Sequence, residues 1–122
     1  MINYRDLKVW QRAHALTLKV YKLTESFPAS EVYSLSSQMK RAAYSIPMNI
    51  AEGCGKSTDP DLARFMDIAA GSASELDYQF LLARDLNFID NQTYDELSSE
   101  LTEIRKMLTA FIQQIRKRIP KR

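Results

Sequence analysis

The chain has few residues of the types that carry out catalysis in helical proteins. Among its 122 residues are one histidine, His14, and one cysteine, Cys54. A nucleophilic site needs a base and an orienting group beside the nucleophile, and a metal site in a helix bundle needs Glu-x-x-His pairs, which the sequence lacks. It also lacks the glycine patterns of nucleotide-binding loops. We therefore predict a protein that is not an enzyme, with no catalytic residues, no metal ligands, no cofactor and no small-molecule substrate.

Composition restricts the class of protein further. The 17 Lys and Arg residues against 15 Asp and Glu residues give a formal net charge of +2. No stretch approaches the roughly 20 apolar residues of a membrane span, and no basic and apolar leader opens the chain. A single cysteine excludes an internal disulfide and favours a reducing compartment, so we expect a cytoplasmic protein with no membrane partner. The 12 Ala and 13 Leu residues against 3 Val favour helices over strands.

Four helical segments account for most of the chain. They cover approximately residues 4–26, 35–54, 60–87 and 91–117. Because short connections place consecutive helices antiparallel, the sequence predicts an all-α, up-and-down antiparallel four-helix bundle. We assign this single domain to residues 1–119 and a basic C-terminal tail to residues 120–122.

The ends of these segments carry capping residues. The candidate N-caps are Asn3, Ser34, Thr58 or Asp59, and Asp90. Gly53 and Gly55 offer a left-handed exit from the second helix. Pro47 lies inside that helix, where its missing N–H leaves the Ala43 carbonyl without a donor and predicts a kink.

The first helix has two apolar arcs. At about 100° per residue, the first arc contains Val9, Ala13, Leu16, Val20, Leu23 and Phe27. The second arc is centred about 140° away and contains Leu7, Trp10, His14, Leu18 and Tyr21. A monomeric bundle needs only one buried stripe per helix, and further apolar surface usually marks an interaction site. We therefore predict that the second arc contacts another subunit; the alternative is that it packs beside the second or fourth helix of the same subunit.

A polar stripe follows one side of the second helix. It consists of Gln38, Arg41, Ser45, Asn49, Glu52 and Lys56, spaced three or four residues apart. The stripe is either a solvated face or a buried hydrogen-bonding seam between subunits. For the seam, the interface candidates are Arg41, Asn49, Glu52 and Glu75, with Glu75 of the third helix opposite Arg41 in a bidentate ion pair. Glu52 and Glu75 could also form an acid–base pair, but we interpret them as partners of Lys56 and Arg41.

Three strings of the sequence are similar to a known family. They are DLKVWQRA (Asp6 to Ala13), SIPMNIAEGCGK (Ser45 to Lys56) and RFMDIAAGSASEL (Arg64 to Leu76). In order and spacing, over essentially the whole chain, they resemble the four-helix-bundle proteins encoded by intervening sequences in bacterial 23S rRNA genes. The Ile-Pro-x-Asn-Ile-Ala-Glu-Gly core is specific, because a proline inside a helix followed by Asn, Glu and Gly is rare.

The resemblance implies an assembly and, more distantly, a partner. Members of that family form ring-shaped homopentamers, so we expect a homopentamer here. The family also looks related to the accessory protein of diversity-generating retroelements, a basic pentamer that binds nucleic acid and a reverse transcriptase; the present chain is less basic overall. No catalytic residues are known for the family, and the resemblance transfers none.

Charge is strongly segregated along the chain. Residues 1–56 carry a net charge of +4, residues 57–104 carry −9 and residues 105–122 carry +7. In an up-and-down bundle the fourth helix ends beside the start of the first and the end of the second. This gathers a set of cations that we call the basic rim: Arg5, Lys8, Arg12, Lys56, Arg116, Lys117, Arg118, Lys121 and Arg122. The rim predicts binding of RNA or a ribonucleoprotein, largely independent of sequence and weakened by salt.

Two alternatives compete with RNA binding. In the first, the cations complement the C-terminus of the fourth helix and keep the tail in solution. In the second, the acidic stretch receives a basic protein partner, and the chain is a structural or adaptor protein that binds through its acidic face.

Overall fold

The computed structural model describes residues 2–121, and all regular secondary structure in this part of the chain is helical. Its helices are α1 (Lys8–Thr24), α2 (Leu35–Cys54), α3 (Asp59–Asp85) and α4 (Asn91–Lys117), with 3₁₀ turns at Tyr4–Asp6 and Ala29–Glu31. Each helix packs against the next along the chain, and α4 closes the bundle on α1 through the smallest of these contacts. The predicted all-α, up-and-down four-helix bundle is confirmed.

Side chains cap the third and fourth helices as predicted. Thr58 Oγ1 accepts a hydrogen bond from the backbone N–H of Asp61 at 3.3 Å and so begins α3. Asp90 Oδ1 accepts the N–H of Thr93 at 2.8 Å and begins α4. The Thr93 hydrogen bond favours the ionised carboxylate and holds the pKa of Asp90 below its usual value. Both contacts satisfy N–H groups that have no partner inside the helix.

The first helix begins later than predicted, and the second begins at the predicted Leu35 but with a different cap. α1 starts at Lys8 and not near residue 4, because Asn3 caps a separate 3₁₀ turn and Leu7 has an extended backbone with φ −80° and ψ 125°. Ser34 makes no capping hydrogen bond with its side chain at the start of α2. Glu31 Oε1 accepts the first N–H of that helix at 3.3 Å, so a carboxylate takes the place of the expected hydroxyl.

The predicted left-handed exit from α2 is wrong. Gly55 has φ −84°, and no glycine within residues 2–121 has a positive φ. Gly53 is buried against α3, where a Cβ atom would lie 2.9 Å from Met66 Cε and 3.0 Å from Phe65 Cβ. Gly53 therefore serves the close packing of two helices. A left-handed backbone occurs instead at Asn87, with φ 63°, just beyond the end of α3.

The first apolar arc of α1 faces the interior of the bundle. Its Val9, Ala13, Leu16, Val20 and Phe27 are buried. The largest fully buried side chains, drawn from all four helices, are Phe80, Leu16, Met39, Ile46, Ile50, Met66, Leu76, Leu101, Ile104, Leu108, Ile115 and Val20. This core uses one stripe of α1. Of the second arc, Leu7 and Trp10 pack against the edge of the core, whereas His14, Leu18 and Tyr21 are exposed.

α2 continues through Pro47 as one helix. Pro47 is buried and has no N–H to donate to the Ala43 carbonyl. The buried hydroxyl of Thr17, on α1, lies 3.0 Å from that carbonyl oxygen and 2.8 Å from the Ala13 carbonyl oxygen. A side chain of the neighbouring helix thus reaches the carbonyl that the proline leaves without a backbone donor.

Candidate assembly surface and basic rim

The second arc of α1 is covered at one end and open at the other. Trp10 is half-buried, with the Tyr4 ring packed edge-on at 4.9 Å between centroids. The exposed His14 ring stacks on Trp10 at 5.0 Å with an interplanar angle of 7°. Further along, Leu18 is 59% exposed and Tyr21 is 44% exposed. The open apolar surface is therefore the C-terminal half of the arc, while Leu7 at its start is half-buried.

This open surface continues onto α2 as a groove. The groove has a volume of about 350 Å³ and is lined by Tyr21, Val32, Tyr33, Ser37, Lys40, Arg41 and Tyr44; we call it the α1–α2 groove. Tyr33 is 96% exposed, and Val32 and Tyr44 are also exposed. Lys40 Nζ lies 5.5 Å from the centroid of the Tyr21 ring. Within residues 2–121 neither Lys40 nor Arg41 forms an ion pair, so the groove combines aromatic surface with two uncompensated cations.

The polar stripe of α2 is solvated at its ends and bonded within the chain at its centre. Gln38, Arg41, Glu52 and Lys56 are exposed. Asn49 Nδ2 donates to the Ser45 carbonyl oxygen at 2.7 Å and to Ser45 Oγ at 3.0 Å. The Ser45 and Ser72 hydroxyl oxygens lie 2.7 Å apart, which links α2 to α3 within a run of small residues, Ala69 to Ser74. Asn49, one of the interface candidates, thus already has its amide donor engaged inside the subunit.

The ion pairs predicted for this stripe are not formed in the single chain. Arg41 and Glu75 are both exposed, and no ion pair within residues 2–121 includes either of them. Glu52 likewise does not pair with Lys56, whose Nζ lies 5.1 Å from the centroid of the Phe65 ring. Exposed charges gain little free energy from pairing in water. A position on facing helices, or one turn apart on the same helix, is therefore not sufficient to form an ion pair.

A second exposed apolar surface lies on α3 around Glu75. It consists of Ile68, Glu75, Tyr78 and Leu86, which fall within about 80° of arc; we call it the α3 face. Tyr78 is 60% exposed, and Ile68 and Leu86 are exposed as well. The face therefore combines apolar surface with a carboxylate that has no counter-ion among the described residues.

The basic rim is brought together in part at one end of the bundle. A cavity of about 230 Å³ there is lined by Ile2, Cys54, Lys56, Ser57, Thr58, Asp59, Leu62 and Arg118. Arg118 Nη2 donates to Asp59 Oδ1 at 2.9 Å, and this hydrogen bond holds the pKa of Asp59 below its usual value. Arg116 pairs with Asp67. Two rim cations are thus paired with carboxylates of α3, which begins at the same end of the bundle. The net charges of the segments did not predict these pairs.

The other rim cations are available for a partner. They are exposed and form no ion pair within residues 2–121: Arg5, Lys8, Arg12, Lys56, Lys117 and Lys121. Arg5 Cζ lies 5.0 Å from the centroid of the Tyr4 ring, so this guanidinium stacks on an aromatic face. Arg122, also assigned to the rim, lies outside the described residues.

Comparison with known proteins identifies the family. The family model described as "23S rRNA-intervening sequence protein" matches residues 5–110, which include α1, α2, α3 and most of α4. The chain belongs to this family. A crystal structure of a protein of unknown function from the S23 ribosomal protein family of Bacteroides thetaiotaomicron matches with a TM-score of 0.81 and 24% sequence identity over 86% of this chain and 95% of that chain. At that identity the likeness shows a common fold. A search of curated proteins gave no match.

The acidic stretch of this 23S rRNA-intervening sequence protein is partly neutralised by its own C-terminal helix. Besides the Arg116 and Arg118 pairs, Arg105 Nη1 lies 3.6 Å from Asp77 Oδ2. The segregated charges of the sequence thus meet across the contact between α3 and α4. An acidic face formed by this stretch is weaker than its sequence charge indicates.

The histidine and the cysteine of this family member lie in different environments. Cys54 is buried, and burial raises the pKa of its thiol. His14 is exposed and stacked on Trp10. No group of three or more His, Cys, Asp and Glu side chains in residues 2–121 could hold a metal ion. In the same part of the chain, every helix is too short or too polar to cross a membrane.

Proposed function

We propose that this member of the 23S rRNA-intervening sequence family is a non-enzymatic homo-oligomer, a pentamer by its family resemblance, that binds RNA or a ribonucleoprotein through its basic rim. The observation that carries the proposal is the open half of the second arc, where Leu18 is 59% exposed and Tyr21 is 44% exposed in a single subunit. A large contiguous apolar patch on the surface of a soluble protein usually marks an interaction site. A second copy of the same chain is a partner that is always present with the protein.

RNA binding is supported by the rim cations that have no partner inside the chain. Arg5, Lys8, Arg12, Lys117 and Lys121 are exposed and unpaired among the described residues. Such cations bind phosphates by releasing counter-ions, which gives an affinity that depends little on sequence and strongly on salt. A ring repeats the same cations in every subunit, so several weak contacts act together on one RNA.

A catalytic role is not part of the proposal. A reactive cysteine needs a depressed thiol pKa and access to solvent, whereas burial raises the pKa of the Cys54 thiol. The ring of His14 stacks on Trp10, a contact that suits a surface residue.

The RNA proposal is tested by removing two rim cations while preserving the ion pairs of α4. In Lys8→Gln/Arg12→Gln we expect lower retention on a fluorescent oligouridylate at low salt. The slope of log affinity against log salt should become shallower by about 1.4 for each subunit whose two cations contact phosphates of a single strand. The control, Lys22→Gln/Lys106→Gln, removes the same charge from two exposed positions away from the rim and should bind as the wild type does.

Equal RNA retention by the rim variant and the control would refute RNA binding through the rim. In that case a pull-down after nuclease treatment tests the alternative, in which the chain binds another protein through its acidic face. A protein partner that survives nuclease treatment and is lost when carboxylates of α3 are removed would make the chain an adaptor that binds through its acidic face.

A further inference from the structure

We infer that the subunits meet head to tail, with the α1–α2 groove of one copy receiving the α3 face of the next. The inference rests on the self-association in the proposed function and names the two surfaces that carry it. The two surfaces are on different helices, so each subunit offers one of each kind. A contact between unlike surfaces of identical chains generates a ring when its rotation closes.

The groove has the composition of a site for an acidic and apolar surface. Tyr21, Tyr33 and Tyr44 provide aromatic walls around about 350 Å³ of open volume. Lys40 and Arg41 line the same groove, and neither has a counter-ion in residues 2–121. Covering the aromatic walls with apolar surface alone would desolvate these cations without compensation, which is costly. The occupant must therefore bring a negative charge together with its apolar side chains.

The α3 face has the complementary composition. Ile68, Tyr78 and Leu86 are exposed apolar or aromatic side chains. Glu75 lies among them, exposed and without an ion-pair partner in the described residues. The charges of the wider segments agree with this match, since residues 1–56 carry a net +4 and residues 57–104 carry a net −9.

Packing either surface against the same surface of another copy does not provide counter-ions for these charges. A groove packed on its own copy would bring Lys40 and Arg41 against the same cations, and like charges across an interface are unfavourable. Two α3 faces packed together would leave both Glu75 carboxylates without a cation. RNA in the groove would meet the cations but would leave the apolar α3 face uncovered. The pairing of groove and α3 face covers both apolar surfaces and compensates both kinds of charge.

The pairing is tested with two charge-reversal variants of the full chain. Lys40→Glu/Arg41→Glu changes the groove, and Glu75→Arg changes the α3 face; all three positions lie outside the core, so helical content by circular dichroism should be unchanged. Each variant alone should assemble at a concentration about tenfold or more above that of the wild type. Lys22→Glu/Lys106→Glu, with the same charge change as the groove variant at positions that line neither surface, should assemble as the wild type does.

Mixing the two variants gives the decisive result. The native groove of the Glu75→Arg chain can receive the native α3 face of the groove variant, so an equal mixture should form assemblies in which the two chains alternate, seen as mixed masses in native mass spectrometry. Alternating chains match at every contact only in assemblies with an even number of subunits, so mixed dimers and tetramers are expected in place of rings of five. A mixture that stays unassembled, or a Glu75→Arg chain that assembles normally, would overturn the head-to-tail pairing while leaving self-association intact. Normal assembly of the groove variant with loss of RNA binding would make the groove an RNA surface. A monomeric wild type would overturn the proposed function itself.

Discussion

Gly53 and Gly55 show how strongly the surroundings of a single residue decide its role. A Cβ at position 53 would lie 2.9 Å from Met66 Cε, at the flexible end of its side chain, and 3.0 Å from Phe65 Cβ, which the α3 backbone holds in place. At position 55 the nearest atom to a Cβ would be the Glu52 carbonyl oxygen at 3.4 Å, an ordinary contact. The backbone at Gly55, with φ −84°, is one that alanine adopts freely.

Alanine substitution distinguishes these two positions. Gly53→Ala should lower the free energy of unfolding by about 1–3 kcal/mol, because α2 and α3 must move apart to admit a methyl group. Gly55→Ala should change it by less than about 0.5 kcal/mol. Urea denaturation followed by circular dichroism measures both. A larger loss for Gly55→Ala than for Gly53→Ala would mean that the end of α2 needs a left-handed glycine after all.

At the scale of helices, α1 and α2 are joined by a polar contact at the proline. The Thr17 hydroxyl lies 3.0 Å from the Ala43 carbonyl oxygen, which has no backbone donor because Pro47 occupies the position four residues later. The hydroxyl is buried, so water does not replace it easily. We interpret this contact as the reason that a proline is tolerated in the middle of a buried helix.

A double-mutant cycle tests this coupling. Thr17→Val keeps the side-chain shape but leaves a buried carbonyl unsatisfied, so the free energy of unfolding should fall by about 1–3 kcal/mol. In a Pro47→Ala background the new N–H satisfies the Ala43 carbonyl, and the same Thr17→Val change should cost less than half as much. Chemical denaturation of the four proteins gives the coupling free energy. An equal cost in both backgrounds would show that the hydroxyl and the proline act independently.

The sequence was sufficient for the number and order of the helices. Capping side chains such as Thr58 and Asp90, and the apolar arc of α1, act through contacts within one or two turns, and these are visible in a sequence. The 3₁₀ turn before α1 depends on the extended backbone at Leu7, which no local sequence pattern predicted. The contact of Thr17 with α2 was equally hidden, because it depends on the register in which two helices pack.

At the scale of the whole molecule, the bundle brings opposite ends of the chain into electrostatic contact. Arg116 and Arg118 were assigned to an open basic rim from the charges of the sequence and the up-and-down topology, without regard to nearby carboxylates. They pair instead with Asp67 and Asp59, because the start of α3 lies at the same end of the bundle as the end of α4. That placement follows from the up-and-down topology and could have been anticipated. It directs the RNA test toward the unpaired cations of α1.

The apolar surface outside the core could be predicted only in part. The second arc of α1 was visible in the spacing of its residues, but its covered and open halves depend on how Tyr4 and His14 pack around Trp10. The α1–α2 groove and the α3 face depend on which side of each helix the bundle leaves outside. Helical arithmetic places Ile68, Glu75 and Leu86 of the α3 face on one arc from the sequence alone. The α1–α2 groove required the three-dimensional structure.

Native mass spectrometry of the purified wild-type chain, over a range of protein concentrations, tests self-association most directly. We predict an assembly of five subunits that persists at micromolar concentration, because burial of Leu18, Tyr21 and the α3 face stabilises it. A chain that remains a folded monomer under those conditions, with these side chains open to water, would contradict the proposed assembly.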